Sequence, residues 1–217
     1  MADVVVIVPM LGRAALVPRL LESLACTEPR ASALFVVSET DLDVLAATAG
    51  MRRLIVPVWE RGDYPRKVNA AAAATTEPLL FLGAIDVVFH PGWLTACEAK
   101  LAPGIGVVGT NDLGNPRTAT GDLSTHTLIT RDYINRCGTI DEPGKVLHEG
   151  YWHEHCDDEL RATAIYRRAW AHAPDAHVEH LHPAWGKAPP DHSYGLAPLR
   201  MVHGRRVFNS REHLWTE

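Results

Sequence analysis

No apolar run in the sequence approaches the ~20 residues that a membrane helix needs; Val4 to Val8 and Leu79 to Leu82 are typical. No membrane segment is therefore expected. The run at the start is also too short for a signal-peptide core and has no basic leader before it, so the expected location is cytoplasmic. Cysteine is scarce: Cys26, Cys97, Cys137 and Cys156 stand far apart without a C-x-x-C pair. That spacing suggests neither a zinc knuckle nor a disulfide framework, and reduced thiols are expected. An excess of positive charge is missing too. With 21 Lys and Arg against 26 Asp and Glu, the net charge is -5. Bulk binding of a nucleic-acid backbone needs clustered cations and is not expected; a local basic pocket for a small phosphate is compatible.

What is present suits a packed α/β domain: 217 residues, 47% apolar and 22% charged. Val4 to Val8 has the continuous β-branched character of a parallel strand buried on both faces. A short turn through Pro9, Gly12 and Arg13 leads to a helix from about Ala14 to Ala25, with Leu16, Leu20, Leu21 and Leu24 on one face. Leu34 to Val37 reads as a second strand. Thr40 and Asp43 have capping-box spacing for a helix that stops at Gly50. Leu54 to Val56 is the third strand, Asp63 and Pro65 start an alanine-rich helix, and Leu79 to Leu82 is the fourth strand. This alternation predicts a mostly parallel sheet flanked by helices, with ligands at the carboxyl ends of its strands.

Asp86, in "FLGAIDVVFHPGWL", lies just beyond the fourth strand. Its readings are a carboxylate facing the ligand crevice, a cap for a helix beginning near Pro91, or a residue in a solvated turn. In "HVEHLHPAWGK", His180 and His182 alternate with Leu181 and point the same way in an extended chain. They either reach the crevice as ligands or are surface or hydrogen-bonded histidines. Trp185, Gly186 and Lys187 follow in a proline-rich stretch that reads as a lid or as a surface loop. Lys67 and Asn69 fall in the first turns of the alanine-rich helix, where free N–H groups attract an anion; an exposed, solvated Lys67 is the alternative. Arg13 has the same two readings. "CDDELRA" places Asp157, Asp158 and Glu159 at a helix start, as acid-base groups or as ordinary N-terminal acids. "HEGYWHEH" is not a zinc-protease helix, because His148 and His153 are five residues apart and point about 140° away from one another. It reads as a loop, and Thr110, Asn111, Asp112 and His126 read as site-lining residues or as caps of turns.

Taken together, Val6-Ile7-Val8-Pro9 with Arg13, Lys67 with Asn69, Asp86 before Pro91-Gly92-Trp93-Leu94, and Asp157 with Glu159-Leu160 resemble the GT-A glycosyltransferases of the family 2 type. The short form is similar to glycosyltransferase-like proteins of actinobacterial phages and their hosts. The resemblance implies one GT-A, Rossmann-like domain over residues 1–217, with a nucleotide-sugar half to about 110 and an acceptor and catalytic half beyond. It implies an inverting transfer from a nucleotide-diphosphate sugar, with Mn²⁺ or Mg²⁺ held by Asp86 and by His180 or His182. Pro9, Arg13, Glu39, Lys67, Asn69 and Asp86 would line the donor side, and Asp157 would be the base. The family's Asp-x-Asp motif is incomplete, since Ala84 stands where its first Asp is expected.

The acceptor is open among a protein, a glycan, a lipid and a small molecule, and homo-oligomer formation is left open. A non-catalytic nucleotide-sugar or protein binder is the alternative that Ala84 favours. A nucleotidyltransferase fits less well, because Pro9 to Arg13 contains one glycine instead of a glycine-rich loop.

Overall fold

The computed structural model describes residues 3–191 and 195–216. Eight strands form a single sheet in the order β3-β2-β1-β4-β7-β6-β8-β5. Its first half is parallel: β1 (Val4–Pro9) lies between β2 (Ala31–Ser38) and β4 (Leu79–Leu82), and β3 (Arg53–Val56) flanks β2. Its connections are α1 (Val17–Thr27), α2 (Leu42–Ala47) and α3 (Asp63–Ala73). The second half mixes directions. The strand β7 (Thr127–Thr130) runs antiparallel to both β4 and β6 (Val107–Asp112), and β8 (Trp170–His180) runs parallel to β6. The short β5 (Val87–Phe89) closes the edge antiparallel to β8. The remaining helices are α4 (Trp93–Glu98), α5 (Pro116–Ala119), α6 (Arg131–Arg136), α7 (Cys156–Tyr166) and α8 (Ala197–Arg211). Among the described residues, no helix is long and apolar enough to cross a membrane.

Alternation along β1 divides the core into two layers. Val4, Val6 and Val8 pack with Leu20, Phe81 and Trp93 on one face; Val5 and Ile7 pack with Val68, Leu80 and Tyr151 on the other. Both faces are covered, which accounts for the unbroken apolar run. The first helix differs slightly from expectation: a 3₁₀ turn, Ala14–Leu16, precedes α1, and Pro18 sits in the first α-helical turn. The cap of α2 also differs. Asp41, not Thr40, accepts a hydrogen bond from the Val44 amide, and its other oxygen accepts from the Gly12 amide. One carboxylate thus holds both the helix start and the loop after β1.

The entry to α3 is tightly constrained. Gly62 has φ +73°, and a Cβ there would stand 3.0 Å from the Tyr151 carbonyl oxygen, so geometry and space both require glycine. One turn on, Lys67 is fully buried, which rules out the exposed-lysine reading. Its ammonium donates to the Met10 carbonyl and pairs with Asp63 at 2.8 Å. Asn69 uses its whole side-chain amide on the segment 146–149. Its oxygen accepts from the Val146 and Leu147 amides, and its nitrogen donates to the Leu147 carbonyl and to Glu149.

Lys67→Ala is expected to cost about 2–4 kcal/mol of stability, because it leaves Asp63 and the Met10 carbonyl without their buried partner. Urea unfolding should show this as a lower midpoint with an unchanged slope. A midpoint equal to the parent's would mean that water replaces the ammonium.

Candidate active site

A cavity of about 460 Å³ opens where strands β1, β4, β6 and β8 end. Its wall includes Pro9 and Arg13 after β1, Ala84 to Asp86 after β4, Asp112 at the end of β6, and His180 and His182 at the end of β8. Because β7 runs the other way, its beginning contributes Thr125 and His126 to the same edge. Asp157 in the first turn of α7 and Arg200 on α8 complete the opposite side. Parallel strands bring their ends together here, so residues far apart in sequence converge.

Asp86 is 5% exposed and does not cap α4, whose first residue follows Gly92 without a side-chain cap. One Asp86 oxygen accepts from the Arg13 guanidinium at 2.5 Å, and the other faces His180 Nε2 at 3.3 Å. Burial pushes the Asp86 carboxyl up, but His180 and Arg13 outweigh it and hold the pKa down at about 2. Asp86 therefore stays ionised at any ordinary pH. Arg13 adopts a left-handed backbone conformation, φ 59°, and its guanidinium also spans Asp191 through two hydrogen bonds.

The histidines have distinct hydrogen-bonding states. His182 Nδ1 accepts from the Ala184 amide, so in its neutral form the proton lies on Nε2. His126 Nδ1 donates to the Leu82 carbonyl, which leaves Nε2 as the acceptor of the neutral ring. Burial, with His180 nearby, lowers the His126 pKa to about 4, so the ring is neutral at pH 7. The ring of His180 lies edge-on to both His126 and His182, with centroids 5.3 and 5.1 Å away. The backbone amide of His180 donates to Asp112.

Asp157 faces the cavity half-buried. Withdrawal from water, with Asp158 and Glu154 close by, raises its pKa to about 8. Asp158 is instead held by His155 at 2.8 Å and does not line the cavity. Glu159 points the other way, where Arg211 and the Tyr151 hydroxyl bind it and tie α7 to α8. The first turn of α7 thus presents one carboxylate to the cavity.

Pro9, Arg13, Asp86, Asp157, His180 and His182 therefore share one wall system. Lys67 and Asn69 sit behind it, and Glu39 is exposed outside it. Sequence reasoning missed α8, which contributes Arg200 and Met201. It also missed that Trp152 lines the cavity while stacked on His203 at 4.0 Å, with Arg61 over its ring. Pro198 at its start and the arginines Arg200, Arg205, Arg206 and Arg211 along it were the signals that could have shown that helix. Among the described residues, Asp141, Glu142 and His148 also cluster, away from the cavity, but Arg211 engages Asp141 and Lys145 engages Glu142.

The architecture is that of the GT-A fold, and glycosyltransferases are among the solved structures similar to it. One is a mannosyltransferase from Pyrobaculum calidifontis in complex with GDP-Man and Mn²⁺: TM-score 0.66, 16% identity, covering 91% of this chain and 60% of that one. Another is glucosyl-3-phosphoglycerate synthase from Mycobacterium tuberculosis with Mn²⁺, UDP and phosphoglyceric acid: TM-score 0.62, 16% identity, covering 97% of this chain and 78% of that one. The chain thus spans less than two thirds of the mannosyltransferase. No protein-family model and no curated protein matches the sequence.

The raised pKa of Asp157 has a consequence for stability. The folded chain holds this proton more tightly than the unfolded one, so the contribution is complete below about pH 4 and is lost as pH rises through about 8. Asp157→Asn is expected to match the parent's melting temperature near pH 4 and to exceed it progressively toward pH 9. A difference that stays constant over that range would contradict the raised pKa.

Proposed function

We propose that this protein transfers a sugar from a nucleotide-diphosphate sugar to a hydroxyl-bearing acceptor, with Mn²⁺ or Mg²⁺ at Asp86 and His180. The observation that carries the proposal is the 3.3 Å approach of Asp86 Oδ1 to His180 Nε2, in the cavity that Asp157 also faces. Bonds of about 2.1 Å to neighbouring positions of an octahedral ion separate the ligand atoms by about 3 Å. A low-pKa carboxylate and an imidazole form a donor set suited to Mn²⁺. The mannosyltransferase and the phosphoglycerate glycosyltransferase, solved with Mn²⁺ and GDP-Man or UDP, support the same reading.

His180 is the histidine ligand we assign. The neutral tautomer of His182 presents an N–H, which suits a phosphate oxygen better than a cation. Asp86 and His180 would hold the divalent ion, which would supply positive charge against the charge that develops on a departing diphosphate. Arg13 adds positive charge on the same side. Asp157 takes the proton from the acceptor hydroxyl as its oxygen attacks the anomeric carbon and the bond to the diphosphate breaks, inverting the configuration. A carboxylate with a raised pKa is a stronger base than an ordinary one, and its working limb rises toward pH 8. Ala84 lines the cavity in place of the first Asp of the family motif, which favours a second reading: a binder of sugar nucleotides that does not transfer.

Mn²⁺ is expected to bind more tightly with UDP or GDP present, and Asp86→Ala should lose this binding in calorimetry. Equal affinities in variant and parent would remove Asp86 from the site. Asp157→Asn should keep nucleotide affinity and lose transfer by about 100-fold or more, since the amide cannot accept the proton. A parent protein that binds UDP-glucose or GDP-mannose with Mn²⁺ but releases no sugar to water or acceptor would favour the binding reading. A product with retained configuration would exclude the single-base mechanism.

A further inference from the structure

The Arg13 guanidinium is shared between two carboxylates. Its Nη1 donates to Asp86 Oδ2 at 2.5 Å, while its Nε and Nη2 donate to the two oxygens of Asp191 at 2.7 and 3.2 Å. One cation thus serves two anions. The backbone beneath it is fixed: Gly12 and Arg13 both have left-handed φ values, Asp41 accepts from the Gly12 amide, and Lys67 holds the Met10 carbonyl. The Arg13 side chain lines the cavity and is 21% exposed. It can therefore change partners by side-chain rotation alone, within reach of a bound ligand.

The sharing matters because Asp86 is also the carboxylate assigned to the metal. Ala84 brings no second carboxylate to this strand end, and of the two Asp86 oxygens one is taken by Arg13 while the other faces His180. Two cations on one carboxylate repel, so Arg13 in its present position lowers what a divalent ion gains from Asp86. A diphosphate changes the balance. The Nε and Nη2 pair that Asp191 occupies is a fork suited to two phosphate oxygens, and a diphosphate carries more negative charge than one carboxylate.

We propose that Arg13 is a built-in counter-cation that couples the two ligands of the site: it neutralises Asp86 until a diphosphate displaces Asp191 from the guanidinium, draws Arg13 away and leaves the Asp86 oxygen to Mn²⁺ or Mg²⁺. The inference rests on the glycosyltransferase reading and adds to it a residue that sets how far metal binding depends on nucleotide. The measurable quantity is the factor by which UDP or GDP tightens Mn²⁺. Linkage requires Mn²⁺ to tighten the nucleotide by the same factor.

Arg13→Gln removes the charge. Calorimetry of the full chain is expected to show Mn²⁺ alone binding about 3- to 10-fold more tightly than in the parent, UDP and GDP binding more weakly, and the coupling factor reduced about 10-fold. Asp191→Asn tests the same exchange at an exposed position without altering the loop. With EDTA present, UDP, GDP and pyrophosphate should each bind this variant about 3- to 10-fold more tightly, because the fork is easier to vacate; this result decides the displacement even where Arg13→Gln fails to fold. A coupling factor in Arg13→Gln equal to the parent's, or weaker binding of Mn²⁺ alone, overturns the role of Arg13. Unchanged or weaker diphosphate binding in Asp191→Asn overturns the displacement. A parent that binds neither UDP nor GDP, with Mn²⁺ or without, overturns the glycosyltransferase reading, and the coupling with it.

Discussion

The Lys67 ammonium, fully buried and shared between the Met10 carbonyl and Asp63, is the contact on which the geometry of the cavity depends. A cation removed from water must keep its partners, because the cost of leaving it alone exceeds what the surrounding packing supplies. The loop after β1 and the first turn of α3 are consequently fixed to one another. Asp41 secures the same loop from the other side through Gly12, and Asn69 attaches α3 to the segment leading toward α7. Arg13 extends from this braced loop to Asp86. The lysine thus acts on the cavity without facing it.

Asp86 and Asp157 illustrate how one side-chain type takes two states within a single cavity. Both are withdrawn from water, which alone would raise both pKa values. Asp86 has a guanidinium and an imidazole against it and is driven the other way, whereas Asp157 has carboxylates for neighbours and remains raised. Asp86 is therefore ionised on the strand side while Asp157 keeps its proton at neutral pH on the helix side, so the two carboxyls differ in charge within one cavity.

The first half of the fold could be read from the chain because each element there carries its own signal. Val4 to Val8 is uniformly β-branched, and the leucines of α1 recur at helical spacing. The strands β5 and β7 are only three and four residues long, too short for a period to show. Asp86 and Asp157 stood out because they begin or end elements. Lys67 stood out too, as an anion-binding or an exposed residue, but its burial was hidden, since that depends on a carbonyl 57 positions away and on Asp63 one turn before. The capping pattern at Thr40 and Asp43 misled because Asp41, lying between them, also serves the Gly12 amide. The state of His126 depends on Leu82, a carbonyl on the neighbouring strand, and such contacts become visible only once β4 and β7 are paired.

The cavity wall draws on Pro9 near one end of the described chain and on Arg200 and Met201 near the other. Its order of appearance during folding is thereby constrained. The β1–β2 and β1–β4 pairings need only the first 82 residues and no part of α8, whereas completing the wall brings together segments about 190 positions apart. Contacts of such long separation form late, after shorter loops have closed. Completing the wall thus carries the largest loop-closure cost in the molecule, a cost that the pairing of β1, β2 and β4 does not bear.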